Sequence, residues 1–562
     1  MKNIRMKAVL RRLLAASAAA VILAGAAGSA MPAYALTTAP KKAEKEETAS
    51  AEDLAPQVYV HQYYESEWEE IEGENRQTLD LDYAELEMPE ASAKAYPKLK
   101  RALDRYNRSR VRLADDTLED MRAEIATMKE EGYPFYGAYT DKETINIRRL
   151  DKDVFSFVRV TDWYGGGAHG YSGFYGTSFD VEKGRVIELT DLIPSENDDA
   201  LREAVTKELR EAYDKTEAGS ELWFDLEGYM EHYSVDADPD AEVDYEDDYK
   251  VAYTWVLDPQ GVTFFFNPYA LAAYAAGAQQ VTILFDEYPE LFSDAYEGTE
   301  KGFVLNFMEY EDVRFDRDGV GETDELEVLS YQDEEDWQNG VMSGITIRLN
   351  GREYTDDSWN WVFDFRPMLV RTEDGLCYLY VVCMEENDWE ETYVYDLNGR
   401  KAKFIGSAAG GIEPAFRMIP DEDFEGRLIG QMTDPEAFRV SSRSNVLSTL
   451  FVSRPSRVGD DGMPEPTQER WETGSDFTLT LKKATTFDCV DSEGKVTGKT
   501  CDVRRGDKVI IRYTDMETYC DAETEDGTMV RIYQESDEEY GWPYSVNGVE
   551  LEEMFDGVMF AG

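Results

Sequence analysis

From Leu99 to Met128 the chain carries one long helical period set among short strand-like runs, and this contrast narrows the folds open to it. Leu99, Leu103 and Tyr106, then Leu118, Met121, Ile125 and Met128, recur three or four residues apart, which places them on one face of a helix. Gly132 and Pro134 stop the run. Strand signals lie on both sides, at 58–64 and 78–87 before it and at 143–150 and 153–163 after it. In the last of these, Val154, Ser156, Val158 and Val160 alternate with Phe155, Phe157 and Arg159. The pattern predicts an α+β N-terminal module with one long helix laid on a mixed sheet. The apolar stripe is read as a packing face and not as a binding groove.

The C-terminal half has a different texture. Asn350-Gly351, Asp374-Gly375 and Asn398-Gly399 fall at equal intervals between apolar runs, as successive hairpins would place them. A mostly β domain is expected over 300–452, propeller-like or built of stacked meanders. Residues 453–476, with Pro455, Gly459, Gly462, Pro464 and Pro466, read as a linker or long loop. Beyond them, strands at 477–483, 506–513 and 528–533, with a hairpin turn at Asp526-Gly527, predict a small SH3-like β-barrel over 477–562.

Lys2, Arg5, Lys7, Arg11 and Arg12 precede an apolar stretch from Leu13 to Ala27, and Ala33-Tyr34-Ala35 follows. That is the pattern of a cleaved signal peptide over residues 1–35, and the stretch is shorter than the roughly 20 residues a membrane span needs. Residues 36–56 read as a charged linker, and 236–248 as a solvated acidic loop. The expected setting is the extracellular space or cell envelope, without an integral membrane anchor, and a monomer is expected. The net charge of −60 argues against nucleic acid and anionic lipid, whose phosphates need a basic footprint. A cationic protein or a cell-wall glycan is the partner such a surface favours.

Between two strand signals stands Trp163-Tyr164-Gly165-Gly166-Gly167-Ala168-His169-Gly170. No Gly-Lys-Ser/Thr follows, so it reads as a tight turn and not as a phosphate loop. Gly166, Gly167, Ala168, His169 and Gly170, followed by the run from Phe179 to Leu192, resemble the extracellular module shared by the lysozyme-binding anti-sigma factor RsiV and the N-terminal part of the deacetylase PdaC. A later stretch, Gly261 to Tyr269 with Tyr274-Ala275-Ala276-Gly277, is similar to the closing strand and turn of that module. The resemblance covers about residues 57–295 and implies a binding module with a cationic protein ligand. The chain departs from the family in its cleavable N-terminus, where the anti-sigma factor has a sigma-binding segment and an anchor. It also lacks the metal-binding histidine pair of the deacetylase; Thr355-Asp356-Asp357 alone stands in its place.

Three other features bear on chemistry. The loop from Asp316 to Glu327 has calcium-loop spacing, with Asp316, Asp318, Asp324 and Glu327 at positions one, three, nine and twelve and Gly321 at six. Val320 occupies position five and supplies no side-chain oxygen, so calcium and a plain acidic hairpin turn both remain open. Of the five cysteines, Cys489 and Cys501 flank a turn and could pair across a hairpin as a disulfide, or stay free and buried. Cys377 and Cys383 share one strand about 20 Å apart, too far to bond. No catalytic constellation is legible: Gly170-Tyr171-Ser172-Gly173 lacks the spacing of a nucleophile elbow. The expected function is a non-catalytic binding protein. The alternative is a carbohydrate-directed hydrolase using paired carboxylates, for which the chain has 117 acidic residues to draw on.

Overall fold

The computed structural model describes residues 55–71, 73–214, 225–239, 249–299, 302–332, 340–359, 361–386, 389–412, 418–420, 425–536 and 543–560. The expected signal peptide, all but the last two residues of the charged linker and most of the acidic loop lie outside the described residues. Strand makes up 48% and helix 18%, so the chain is β-rich with an α+β part at its N-terminal end. No helix among the described residues is long and apolar enough to cross a membrane.

The N-terminal part is layered. Strands β1 (Tyr59–Ile71) and β2 (Glu74–Glu87) form a hairpin, and helix α1 (Pro97–Glu131) crosses back over it. Strand β3 (Tyr139–Leu150) joins β2 in parallel. Strands β4 (Val154–Tyr164) and β5 (Tyr171–Asp180) then extend the sheet antiparallel. Helix α1 forms where the period predicts. Leu99, Leu103, Leu118, Met121, Ile125 and Met128 are all buried against the sheet, and deleting any one of these side chains would cost about 2–5 kcal/mol. Gly132 and Tyr133 donate their N–H groups to Lys129 and Met128 and close the helix end.

The two faces of this sheet have different partners. Phe155, Phe157 and Phe179 lie under α1 with Ile145 and Ile147. Val158, Val160 and Phe174 face the other way, onto Val256 and Phe265. Those residues belong to a second, three-stranded sheet of β6 (Thr254–Leu257), β7 (Gly261–Phe266) and β8 (Gln279–Leu284). Helix α2 (Asp198–Asp214) packs outside it, in a core with Leu201, Val205 and Leu209. The layers therefore run helix, mixed sheet, small sheet, helix.

The first sheet also takes strands from far along the chain: Glu425–Ile429 pairs with β1, and Met418–Pro420 pairs beyond it. The 57–295 module is thus not closed on itself. A buried ion cluster makes the same connection. Arg148 is the extra residue of a bulge in β3, and the bulge re-aims its side chain. Its guanidinium grips Asp258 with two bonds of 2.8 and 2.9 Å and also bonds Glu311. All three side chains are at most 5% exposed.

In the C-terminal half Asn350-Gly351, Asp374-Gly375 and Asn398-Gly399 each turn between antiparallel strands. They join Gly344–Leu349 to Arg352–Asp356, Asp364–Arg371 to Cys377–Met384, and Glu390–Asp396 to Lys403–Ala409. The resulting sheets have four and five strands and are open. Two expectations are corrected. Residues 453–476 are no linker: Leu450–Val458, Pro464–Pro466 and the start of Trp471–Leu481 are strands. They carry one open eleven-stranded sheet from Gly411–Ile412 into the 477–562 region, where a separate closed barrel was expected.

Candidate functional site

The glycine turn forms the hairpin end between β4 and β5. Gly166 sits at φ 73, and a Cβ there would come within 2.9 Å of the Tyr139 hydroxyl. At Gly170 a Cβ would meet the Trp163 carbonyl at 2.8 Å. Both positions need the missing side chain.

The turn rests on the small sheet. Asn267, just after β7, exchanges hydrogen bonds with the backbone of Phe174, and the Tyr171 hydroxyl donates to the Pro268 carbonyl. The two motif segments that carry the family resemblance, separated by about a hundred residues in sequence, thus meet at one end of the molecule. There the Gly170 carbonyl accepts from both the Tyr274 hydroxyl and His169 Nδ1, each at 2.8 Å. In that contact His169 Nδ1 is the donor, and the ring stacks on Tyr274 with centroids 4.1 Å apart. Tyr269 lies 5.6 Å from Tyr274, is 51% exposed and holds a φ of 72. Burial pushes the Tyr274 hydroxyl up in pKa, helped by Tyr269 and by the carboxylate of Asp162. The result is an exposed aromatic rim with a negative charge beside it. Of its residues, sequence reading singled out His169 and missed Tyr269 and Tyr274 as contact groups, although both stood in the quoted motif.

Below the rim, on the α1 face of the sheet, the apolar core gives way to polar groups. Register places Arg159 between Ile145 and Tyr175, and Thr161 between Glu143 and Gly173. Glu143 is buried; one oxygen accepts the Ala84 N–H and the other accepts from Arg110 and, at 3.3 Å, from Arg159. The Arg159 guanidinium lies 4.4 Å over the Tyr175 ring. Tyr106 reaches in from α1, its ring edge-on to Phe157 at 5.3 Å. Burial pushes both tyrosine hydroxyls far above their ordinary range, so they stay protonated at any physiological pH. Sequence reading assigned Tyr106 to the packing stripe and Arg159 to strand alternation, and missed this buried polar cluster.

The other predicted sites come apart. Asp316 spends its carboxylate on the N–H groups of Gly319 and Gly321, both at 2.8 Å. Asp324 accepts from Asn350 and pairs with Arg317. Asp318 caps the N–H of Val320, and Glu327 pairs with Arg348 across the sheet. Each of the four carboxylates accepts from at least one donor of the protein. The loop forms the hairpin turn between the strands Val313–Phe315 and Asp324–Tyr331, and no metal-ligand group of three occurs among the described residues. Cys489 and Cys501 are free thiols. A bulge offsets them, so Cys501 faces Phe487 while Cys489 faces Val530 on the other neighbouring strand. Cys377 and Cys383 share one strand, as expected, and are free.

Residues 190–286 match the family described as "Protein of unknown function (DUF3298)". Two solved structures of DUF3298 family proteins are similar. One, from Bacteroides fragilis, is 16% identical and covers 43% of this chain and 95% of its own, with a TM-score of 0.32. The other, from Pseudomonas aeruginosa, is 13% identical and covers 44% of this chain and 100% of its own, with a TM-score of 0.29. No curated protein sequence matches the chain. The matched segment holds α2, β6, β7 and β8, and with them Tyr269 and Tyr274 of the rim. The chain thus carries a DUF3298 domain at residues 190–286.

Proposed function

We propose that this is an exported, non-catalytic binding protein whose N-terminal module captures a cationic protein at the aromatic rim. The observation that carries the reading is Tyr269, a bulky aromatic held at positive φ and half exposed beside the stacked His169 and Tyr274. A left-handed backbone costs such a residue about 1–3 kcal/mol, and glycine or asparagine would relieve it. A ring kept outward at that cost is contact surface and not packing. Tyrosine faces attract arginine and lysine by about 0.5–1 kcal/mol each at exposed sites. The net charge of −60 would steer a cationic partner toward the molecule.

The resemblance to the RsiV module supports the same class of ligand. A cell-wall glycan is the competing ligand, since sugar faces also stack on tyrosine. Hydrolysis has less support: Asp258 and Glu311, two carboxylates brought together in the interior, are held by Arg148 and closed to solvent.

The test is retention of lysozyme and of purified cell-wall material on the immobilised protein, at low and high salt. Salt-sensitive retention of lysozyme is expected. Retention of cell wall alone would reassign the ligand, and retention of neither would overturn the reading.

A further inference from the structure

Helix α1 ends at the same end of the module as the rim, and aromatic rings follow it there. Tyr133 and Tyr136, between α1 and β3, are 62% and 74% exposed. Gly132 at φ 71 and the bond from the Tyr133 N–H to the Met128 carbonyl make the turn that carries the chain from helix to strand. Tyr164 links this segment to the rim. A Cβ at Gly137 would lie 3.8 Å from Tyr164 Cε1, and the Tyr164 hydroxyl donates to the Gly167 carbonyl at 3.1 Å. Register agrees, since Tyr164 pairs with Thr140 at the start of β3. On the opposite side the last turn of α1 is tied to β1, where Lys129 pairs with Glu69. From β1 to β5 the sheet has four strand spacings, a breadth of about 19 Å.

The charge beside both groups of rings is negative. Glu130 and Glu131 are exposed at the end of α1, the Glu124 carboxylate acts on the Tyr139 hydroxyl, and that of Asp162 acts on Tyr274. Arg122, Lys129 and Lys142 each hold a carboxylate of the fold.

We propose that Tyr133 and Tyr136 are a second contact point for the partner held at the rim, so that the capturing surface crosses the whole end of the module and fits a folded protein with lysine and arginine spread over one face. This rests on the reading of the rim as capturing surface. Tyrosine faces take guanidinium and ammonium groups, and the flanking carboxylates favour the same charge. The breadth of this end lies within the roughly 800 Å² that a folded partner covers on each side. A neutral glycan gains nothing from those carboxylates.

Lysozyme is titrated by calorimetry into the intact protein at low and high salt. The parent is compared with the helix-end variant Tyr133→Ala, Tyr136→Ala and with the rim variant His169→Ala, Tyr274→Ala. One lysozyme per chain is expected, bound about fivefold or more weakly by the helix-end variant. Its thermal midpoint without ligand should equal that of the parent, because both rings stand in solvent. Glu130→Gln, Glu131→Gln should lose affinity at low salt and match the parent at high salt. Equal affinity of helix-end variant and parent, beside a weakened rim variant, would overturn this inference alone and leave the rim standing. A weakened helix-end variant beside an unchanged rim variant would sink the rim reading, and the shared surface with it. Two lysozymes per chain would mean separate sites, and a lowered midpoint of the helix-end variant would mean packing residues; either result contradicts the second contact. No binding by the parent would overturn both readings.

Discussion

The acidic turn at Asp316–Glu327 and the polar cluster under α1 differ in what their polar groups have left to give. The turn has the spacing of an ion site, yet Asp316, Asp318, Asp324 and Glu327 all accept from donors within the fold. The cluster has no motif, yet Tyr106, Arg110, Thr161 and Tyr175 retain unused donors. Spacing along the chain says which side chains could converge. Whether they are available depends on neighbours that only the fold supplies.

Four expected outcomes can break or sharpen this comparison. The largest concerns Arg148, which ties β3 to Asp258 and Glu311 in the interior. Arg148→Met leaves Asp258 and Glu311 buried against each other and should cost about 3–5 kcal/mol in urea unfolding. Burial already holds the Glu311 carboxyl above its ordinary range, and Arg148 is the chief opposing influence. In the variant a folded Glu311 keeps a proton that the unfolded chain has released. Stability of the variant should therefore fall as pH rises from the ordinary carboxylate range through the raised folded value, and recover in acid.

Asp316→Ala comes next. It removes the acceptor of two backbone N–H groups and should cost about 1.5–3 kcal/mol, with no dependence on calcium. A calcium-dependent cost would return the loop to the ion-site class. Third, Tyr269→Gly should raise stability by about 0.5–1 kcal/mol through relief of the positive φ, while weakening partner capture. Loss of stability instead would mean that Tyr269 is packing. Smallest, millimolar calcium should leave the thermal midpoint of the parent unchanged, because the loop oxygens are already engaged.

Helix α1 was legible because its buried residues repeat at the helical period in two runs, Leu99 to Leu103 and Ala114 to Met128. The hairpins were legible because Asn-Gly and Asp-Gly favour positive φ; Asn350 and Gly351 adopt 51 and 69. The strands across 453–476 were not, because their prolines read as loop signals. Pro464 and Pro466 lie on a short strand that pairs with Leu450–Val458, and Pro455 is tolerated within a paired strand between Arg439 and the Thr467 amide. The barrel expectation failed for the same reason, since the missed strands make the sheet continuous. Both halves of the rim stood in the quoted motifs, and only the docking of β5 on β7 brings them together. The polar cluster under α1 left no trace in sequence, since Arg110 and Glu143 are partners 33 residues apart on different elements.

The central claim is that the aromatic rim is the capturing surface. Its most direct test is the affinity of the parent and of the His169→Ala, Tyr274→Ala double variant for lysozyme, measured over a range of salt concentrations. The account predicts that the parent binds, that salt weakens binding, and that the variant loses about tenfold or more at every salt. Equal affinities for parent and variant would contradict it and move the capturing surface elsewhere on the molecule.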